Sequence, residues 1–239
     1  MSDVKVGMAL ARFCQPALEP GIPVEGLVAH YTMDDVSGSS LLDVSGNGNH
    51  GDINSGTFVP GLMGNAISFP GGSMGGNRYN NGVHLPGTVA RDKIQFTVSA
   101  WIKGEGVILQ TDWYSDANGW ATGWAFVCGA EVLRFEKALS NRSEKVIRIP
   151  ISRSLDEWAH VCAIVDHDDE VILFLNGSEA GRGDISGTRF YKGAHYANTG
   201  ENIGSGYSAS FTGQMDQFRV YSGLLDSRSV LALSKEASI

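Results

Sequence analysis

FTVSAWIK, residues 96–103, alternates without a break: Phe96, Val98, Ala100 and Ile102 fall on one side of an extended chain, and Thr97, Ser99, Trp101 and Lys103 on the other. A period of two marks a half-buried β-strand, because successive strand side chains point to opposite faces. The same texture continues outward from this stretch. Apolar runs recur in LVAHYTM (27–33), NAISF (65–69), GVHL (82–85), GVILQ (106–110), GWAFVCG (123–129) and EVLRFE (131–136). They go on in KVIRIPI (145–151), WAHVCAIVD (158–166), EVILFLNG (170–177), ENIGSG (201–206) and FTGQMDQFRVY (211–221). Gly, Asn and Asp turns separate them, a spacing that predicts a sandwich or barrel. The 31 glycines among 239 residues are well above the usual share of about 7% and fit a chain of many tight turns. Asn176-Gly177 is a hairpin signal, since both residues tolerate positive φ. Near the end, Leu225 to Leu233 changes to helical spacing, with Asp226 or Ser227 as N-cap and Val230, Leu231 and Leu233 as the apolar side.

Charge narrows the partners. With 26 acidic against 18 basic side chains the formal charge is −8, so nucleic acid and anionic membranes are not expected partners. No segment has the 18 or so apolar residues needed to span a bilayer, and membrane insertion is not expected. Residues 1–12 make a poor secretory signal, which predicts a soluble protein made in the cytoplasm. Of the three cysteines, Cys128 and Cys162 lie in apolar runs and read as small buried hydrophobes. Cys14 lies apart, in residues 1–26, which show neither alternation nor helical period. Pro16, Pro20 and Pro23 hold that stretch extended. It reads as an arm that orders only when docked, either on its own sandwich or on a partner, and Phe13, Cys14, Pro16, Leu18, Pro20, Ile22 and Pro23 are its candidate docking residues. Residues 27–239 form the domain.

The order of these segments resembles the laminin G-like branch of the concanavalin A-like lectin/glucanase superfamily. Residues that carry the resemblance are DVSGNGNHG (43–51), Gly64 to Phe69, Val83 to Pro86, Phe96 to Trp101, WAHV (158–161), Phe174 to Gly177, and Phe211 to Tyr221. Single motifs of this kind are weak, but here they stand in the family's order. The resemblance implies an all-β antiparallel sandwich, a jelly roll, preceded by the arm and closed by one short helix. It leaves function open, because function sits in sites grafted on a scaffold. Relatives include carbohydrate-binding modules, adhesive domains, glycosidases and structural or host-contacting proteins of bacteriophage particles.

Glucanases on such a scaffold carry two glutamates and an aspartate as Glu-Xaa-Asp-Xaa-Xaa-Glu, so that alternation aims both carboxylates into one cleft. That spacing is absent. The cluster Asp166, Asp168, Asp169 and Glu170 reads as a solvated hairpin turn, and His160, within a strand, reads as structural. No enzyme activity is expected. Calcium is a candidate structural cofactor: Asp43, Ser45, Asn47 and Asn49 put oxygens at alternate positions of a glycine-broken loop, although Asx-type turn capping explains the same residues. Relatives that hold a structural calcium use acidic groups of the first and last strands, which map to Asp34 and Asp216. For sugar binding the informative stretch is TDWYSDANGWATGW (111–124). Flat aromatic faces stack on sugar C–H surfaces while Asp and Asn pair with hydroxyls. Asp112, Trp113, Tyr114, Asp116, Asn118 and Trp120 are the candidate glycan contacts, whereas Trp124 reads as core. Arg182-Gly183-Asp184 reads as an incidental tripeptide in a loop.

The leading expectation is a non-enzymatic adhesion protein on a virion surface, a bacteriophage decoration, tail or fibre component whose arm docks on a capsid, a tail assembly or further copies of itself. Its jelly roll would face outward, toward a cell-surface glycan. A free carbohydrate-binding module is the main alternative, and a glycosidase the lesser one.

Overall fold

One long strand, β8 (Gln95–Thr111), organises the molecule by serving two sheets. The computed structural model describes residues 21–72, 82–87, 89–90, 93–111, 114–115, 121–138, 144–186, 201–204 and 210–238. Residues 95–102 of β8 pair antiparallel with β14 (Ala159–Asp166) on one side, and residues 96–105 with β18 (Thr212–Ser222) on the other. Beyond β14 come β15 (Glu170–Leu175) and β16 (Ser178–Asp184). Beyond β18 come β1 (Leu27–Tyr31), β6 (Asn65–Pro70) and β5 (Thr57–Pro60).

Residues 106–111 of β8 belong to the second sheet. There β8 pairs with β11 (Trp124–Cys128), followed by β12 (Val132–Ala138) and β13 (Glu144–Pro150). Its other side carries β17 (Glu201–Ile203), β7 (Val83–Leu85), β4 (Gly51–Ile53), β3 (Ser40–Leu41) and β2 (Val36–Ser37). The corner is made at Gly104 and Gly106, whose φ values of 124° and 129° suit glycine alone. A strand that changes sheets needs such a bend. FTVSAWIK and GVILQ are thus one bent strand, because the intervening Gly-Glu-Gly turns a corner without breaking the pairing.

The inner faces share one apolar core. Phe96, Trp124 and Phe135 stack in series, with ring centroids 4.7 and 5.7 Å apart, so Trp124 is core as expected. Ile147 and Ile149 of β13 lie over Gly181 and Gly183 of β16, where any side chain would collide with them, and so close the sandwich at one edge. That also accounts for Arg182-Gly183-Asp184: it is a strand segment, not a loop. Arg182 pairs with Glu170 and Glu179, and Asp184 with Lys145. Lys137, buried beside this edge, donates to the carbonyls of His167 and Ile185.

The outer face of the first sheet departs from the half-buried expectation: Thr97 and Ser99 are fully buried. Helix α1 (Ser227–Leu233), capped by Asp226 through Ser229 N at 2.7 Å, packs Val230 against Cys162, Ile164 and Phe174. Its buried side is Val230, Ala232 and Leu233, while Leu231 stays exposed. The following turn, Glu236–Ser238, sets Glu236 Oε1 2.7 Å from Arg219 Nη1. Beneath it Arg219 and His30 both donate to Gln217 Oε1, and Ser99 Oγ lies 2.8 Å from His160 Nε2.

Hairpin and cysteine expectations hold. Asn176 and Gly177 have φ of 49° and 77°, and Asp166 to Glu170 is the turn between β14 and β15. Cys128 and Cys162 are buried thiols, and burial pushes Cys128 up to about 11 and Cys162 further. Of the arm, Ile22 and Pro23 are described: both are half-buried, and Tyr221 Oη donates to the Pro23 carbonyl at 3.2 Å. Phe13, Cys14, Pro16, Leu18 and Pro20 lie outside the described residues. No described helix is long and apolar enough to cross a membrane.

Candidate functional site

The strand ends define where the aromatic stretch emerges. Thr111, the last residue of β8, pairs with Glu201 at the start of β17, and Trp124, the first of β11, pairs with Lys137 near the end of β12. Glu201 is buried there and takes the Ala90 amide between its two oxygens at 2.7 and 2.9 Å, which folds the turn after β7 against the same end. Between Thr111 and Trp124 the backbone forms a short ribbon, β9 (Tyr114–Ser115) against β10 (Ala121–Thr122). Of the candidate glycan contacts, Tyr114 is therefore placed on this ribbon by its backbone. Asp112, Trp113, Asp116, Asn118 and Trp120 lie outside the described residues.

The loop after β3 shows what its oxygens do. Asp43 Oδ1 accepts from His30 N and Ser45 N, and Oδ2 from Ser45 Oγ and Asn49 N, all at 2.8 to 3.0 Å. Burial works to raise its pKa, yet these donors together hold the carboxyl below its usual range. Asn47 Nδ2 donates to the carbonyls of Leu27 and Val28. Both side chains thus fold the loop onto β1, in the manner of Asx turns.

Asp34 and Asp216 meet elsewhere, around the turn before β6. Asp216 Oδ2 accepts from Leu62 N and Met63 N at 3.0 and 2.9 Å, and Asp34 Oδ1 accepts from Asn65 N at 2.7 Å. Gly64, with φ 72°, must be glycine because any side chain would run into the Asp34 carboxylate. Burial, with a contribution from the neighbouring charge of Asp34, raises Asp216 to about 6 against the pull of its amide donors. Its Oδ1 is buried without a hydrogen-bond partner. A buried carboxylate oxygen with no donor, beside a second carboxylate, fits an oxygen-seeking cation. No cluster of three or more His, Cys, Asp or Glu ligands occurs among the described residues, so backbone oxygens or water would have to complete such a shell.

A third feature has no motif to announce it. An open trough of about 390 Å3 lies at the β8 corner, between residues 103–105, the neighbouring parts of β6 and β18, and the loop before β14. Its residues come from four segments distant in sequence, each unremarkable alone.

A laminin G-type family model, described as the concanavalin A-like lectin/glucanases superfamily, matches residues 75–231, more than half of the chain. The chain belongs to this superfamily. No curated protein matches the sequence. Among solved structures, this superfamily member is similar to domain 4 of AbnA, a GH43 extracellular arabinanase from Geobacillus stearothermophilus, in complex with arabinotriose, at 21% identity and a TM-score of 0.63 over 87% of this chain and 98% of that domain. It is also similar to the binding domain of Paraclostridial Mosquitocidal Protein 1 (18% identity, TM-score 0.61, 88% of this chain and 52% of that one). The botulinum neurotoxin serotype G binding domain is a further match (15% identity, TM-score 0.58, 87% and 50%). The chain thus spans about half the length of the two toxin domains and nearly all of the arabinanase domain. These likenesses establish a lectin-like sandwich shared with binding domains.

Proposed function

We propose that the chain is a non-catalytic glycan-binding module. The observation that carries this reading is its match, over nearly the whole of both, to an arabinanase domain in complex with arabinotriose. The aromatic stretch supports it, because both of its flanks are fixed at one end of the second sheet and its residue types suit sugar C–H faces and hydroxyls. In this reading Trp113, Tyr114 and Trp120 stack on sugar rings, and Asp112, Asp116 and Asn118 pair with hydroxyls. Replacing Trp113 and Trp120 together by Ala is expected to weaken oligosaccharide binding at least tenfold, measured by titration calorimetry. Undiminished binding would rule the stretch out as a sugar site, and hydrolysis of a glycan by the chain would overturn the non-catalytic reading.

A structural calcium belongs to the same reading, with Asp34 and Asp216 as its protein carboxylates. The ion would neutralise two like charges beside a turn whose amides already point at them, tying β1 and β18 to β6. Calcium is expected to raise the melting temperature of the wild type relative to chelator, since a ligand bound only by the fold stabilises it. Asp216→Asn is expected to lose that response, and equal responses would exclude the site.

The virion-surface setting remains the proposed context for the arm. It concerns where the module is mounted, whereas the glycan reading concerns what it recognises.

A further inference from the structure

The trough at the β8 corner exists because β14 stops short. Its first residue, Ala159, pairs with Ile102, so Lys103 to Glu105 have β18 on one side and the loop 151–158 on the other. Two polar rows cross this area in register. Gln214 stands opposite both Ser68 and Lys103, and two residues along Thr212 stands opposite Glu105. Between the rows Gly104 and Gly213 face each other so closely that neither could carry a side chain, which leaves a backbone floor. The opposite wall is Leu155 and Asp156. Arg153 fixes that wall by donating to the carbonyls of Gly104 at 2.7 Å and Glu157 at 3.4 Å, and Ser154 Oγ accepts from Asp156 N at 3.2 Å.

We propose that this trough is a saccharide subsite, separate from the aromatic stretch and selective for neutral sugars. The inference rests on the glycan-binding reading and adds a second site to it. A volume of about 390 Å3 falls in the ~300–1,000 Å3 range of small-molecule sites. The lining supplies what a polyol needs: an ammonium donor in Lys103, carboxylate acceptors in Glu105 and Asp156, and groups that both donate and accept in Gln214, Ser68 and Thr212. Leu155 offers one apolar surface for a ring C–H face. Lys103 and Arg153 against Glu105, Asp156 and Glu157 leave the trough and its wall with a negative balance, which disfavours sugars bearing a carboxylate. Glu105 is six residues before Thr111 on β8, so up to about 20 Å of strand separates the trough from the base of the aromatic ribbon. Two weak sites that far apart would let one module grip a glycan-dense surface by avidity.

Amide chemical-shift mapping on the full chain tests the inference, with lactose and arabinotriose as neutral probes and sialyllactose as the anionic one. Residues 103–105 and 212–214 are expected to shift with the neutral sugars at lower concentration than with sialyllactose. Asp156→Ala with Gln214→Ala should weaken that response at least tenfold, and each single variant should weaken it partway if the double one folds poorly. Trp113→Ala with Trp120→Ala should leave it intact. Shifts confined to the flanks of the aromatic stretch, abolished by the tryptophan variants alone, would refute the trough and leave the glycan reading standing. No shift with any sugar would refute both. Equal or tighter binding of sialyllactose would refute the neutral selectivity.

Discussion

His160 is a histidine that serves the architecture of the fold. It is fully buried, and burial, with the charge of Arg219 as a lesser cause, lowers its pKa from 6.5 to about 3. Between those values the unfolded chain binds a proton that the fold refuses, so stability falls as pH drops below 6.5, by up to about 1.4 kcal/mol per pH unit for such a group. His30 and His167, lowered to about 4 and about 3 by burial, add to the same slope. His160→Gln should therefore flatten the dependence of melting temperature on pH between 6.5 and 4, and a variant curve parallel to the wild type would contradict this. The sequence identified His160 as structural and Trp124 as core because each lies within an apolar run. It could not distinguish Asp43 from Asp34 and Asp216 as a cation ligand. That distinction depends on which oxygens are already taken by amide donors, and those donors come from other strands.

At the scale of elements, alternation in residues 96–103 was legible, but its consequence was only half right. A strand with polar residues on one face is expected to show that face to water, yet Thr97 and Ser99 are buried: residues 223–225 close over Thr97, and Ser99 lies against His160 and opposite Arg219. Thr97 Oγ1 accepts from Leu225 N and donates to the Gly223 carbonyl, so its polarity serves the approach to the helix. The helix itself was legible from its cap and spacing, whereas its docking face was not. The Arg219–Glu236 pair, with both side chains about 5% exposed, holds the end of this cover. Removing one member of a buried pair leaves an uncompensated charge and costs roughly 3–5 kcal/mol. Glu236→Ala should lower stability by about that amount in denaturant titrations, and should expose the Cys162 thiol to alkylating reagents. A loss under about 1 kcal/mol would mean that the cover is held by Val230 and its neighbours alone.

At the scale of the molecule, the jelly roll was legible because its turn and strand motifs stand in order along the chain. The trough was not, since it depends on where β14 ends relative to β8. The arm joins the two scales. Its last residues lie against β18 through Pro23 and Gly26, so deleting residues 1–26 is expected to lower the melting temperature slightly, and under the virion-surface proposal it also abolishes particle or oligomer assembly. Unchanged particle or oligomer assembly would remove the virion-surface proposal and leave the module itself untouched. Recognition of a glycan is read out by a glycan array probed with the full chain. At least one neutral oligosaccharide is expected to be retained, and to be lost when the aromatic and trough substitutions are combined, whereas a blank array from folded protein would overturn the glycan-binding reading.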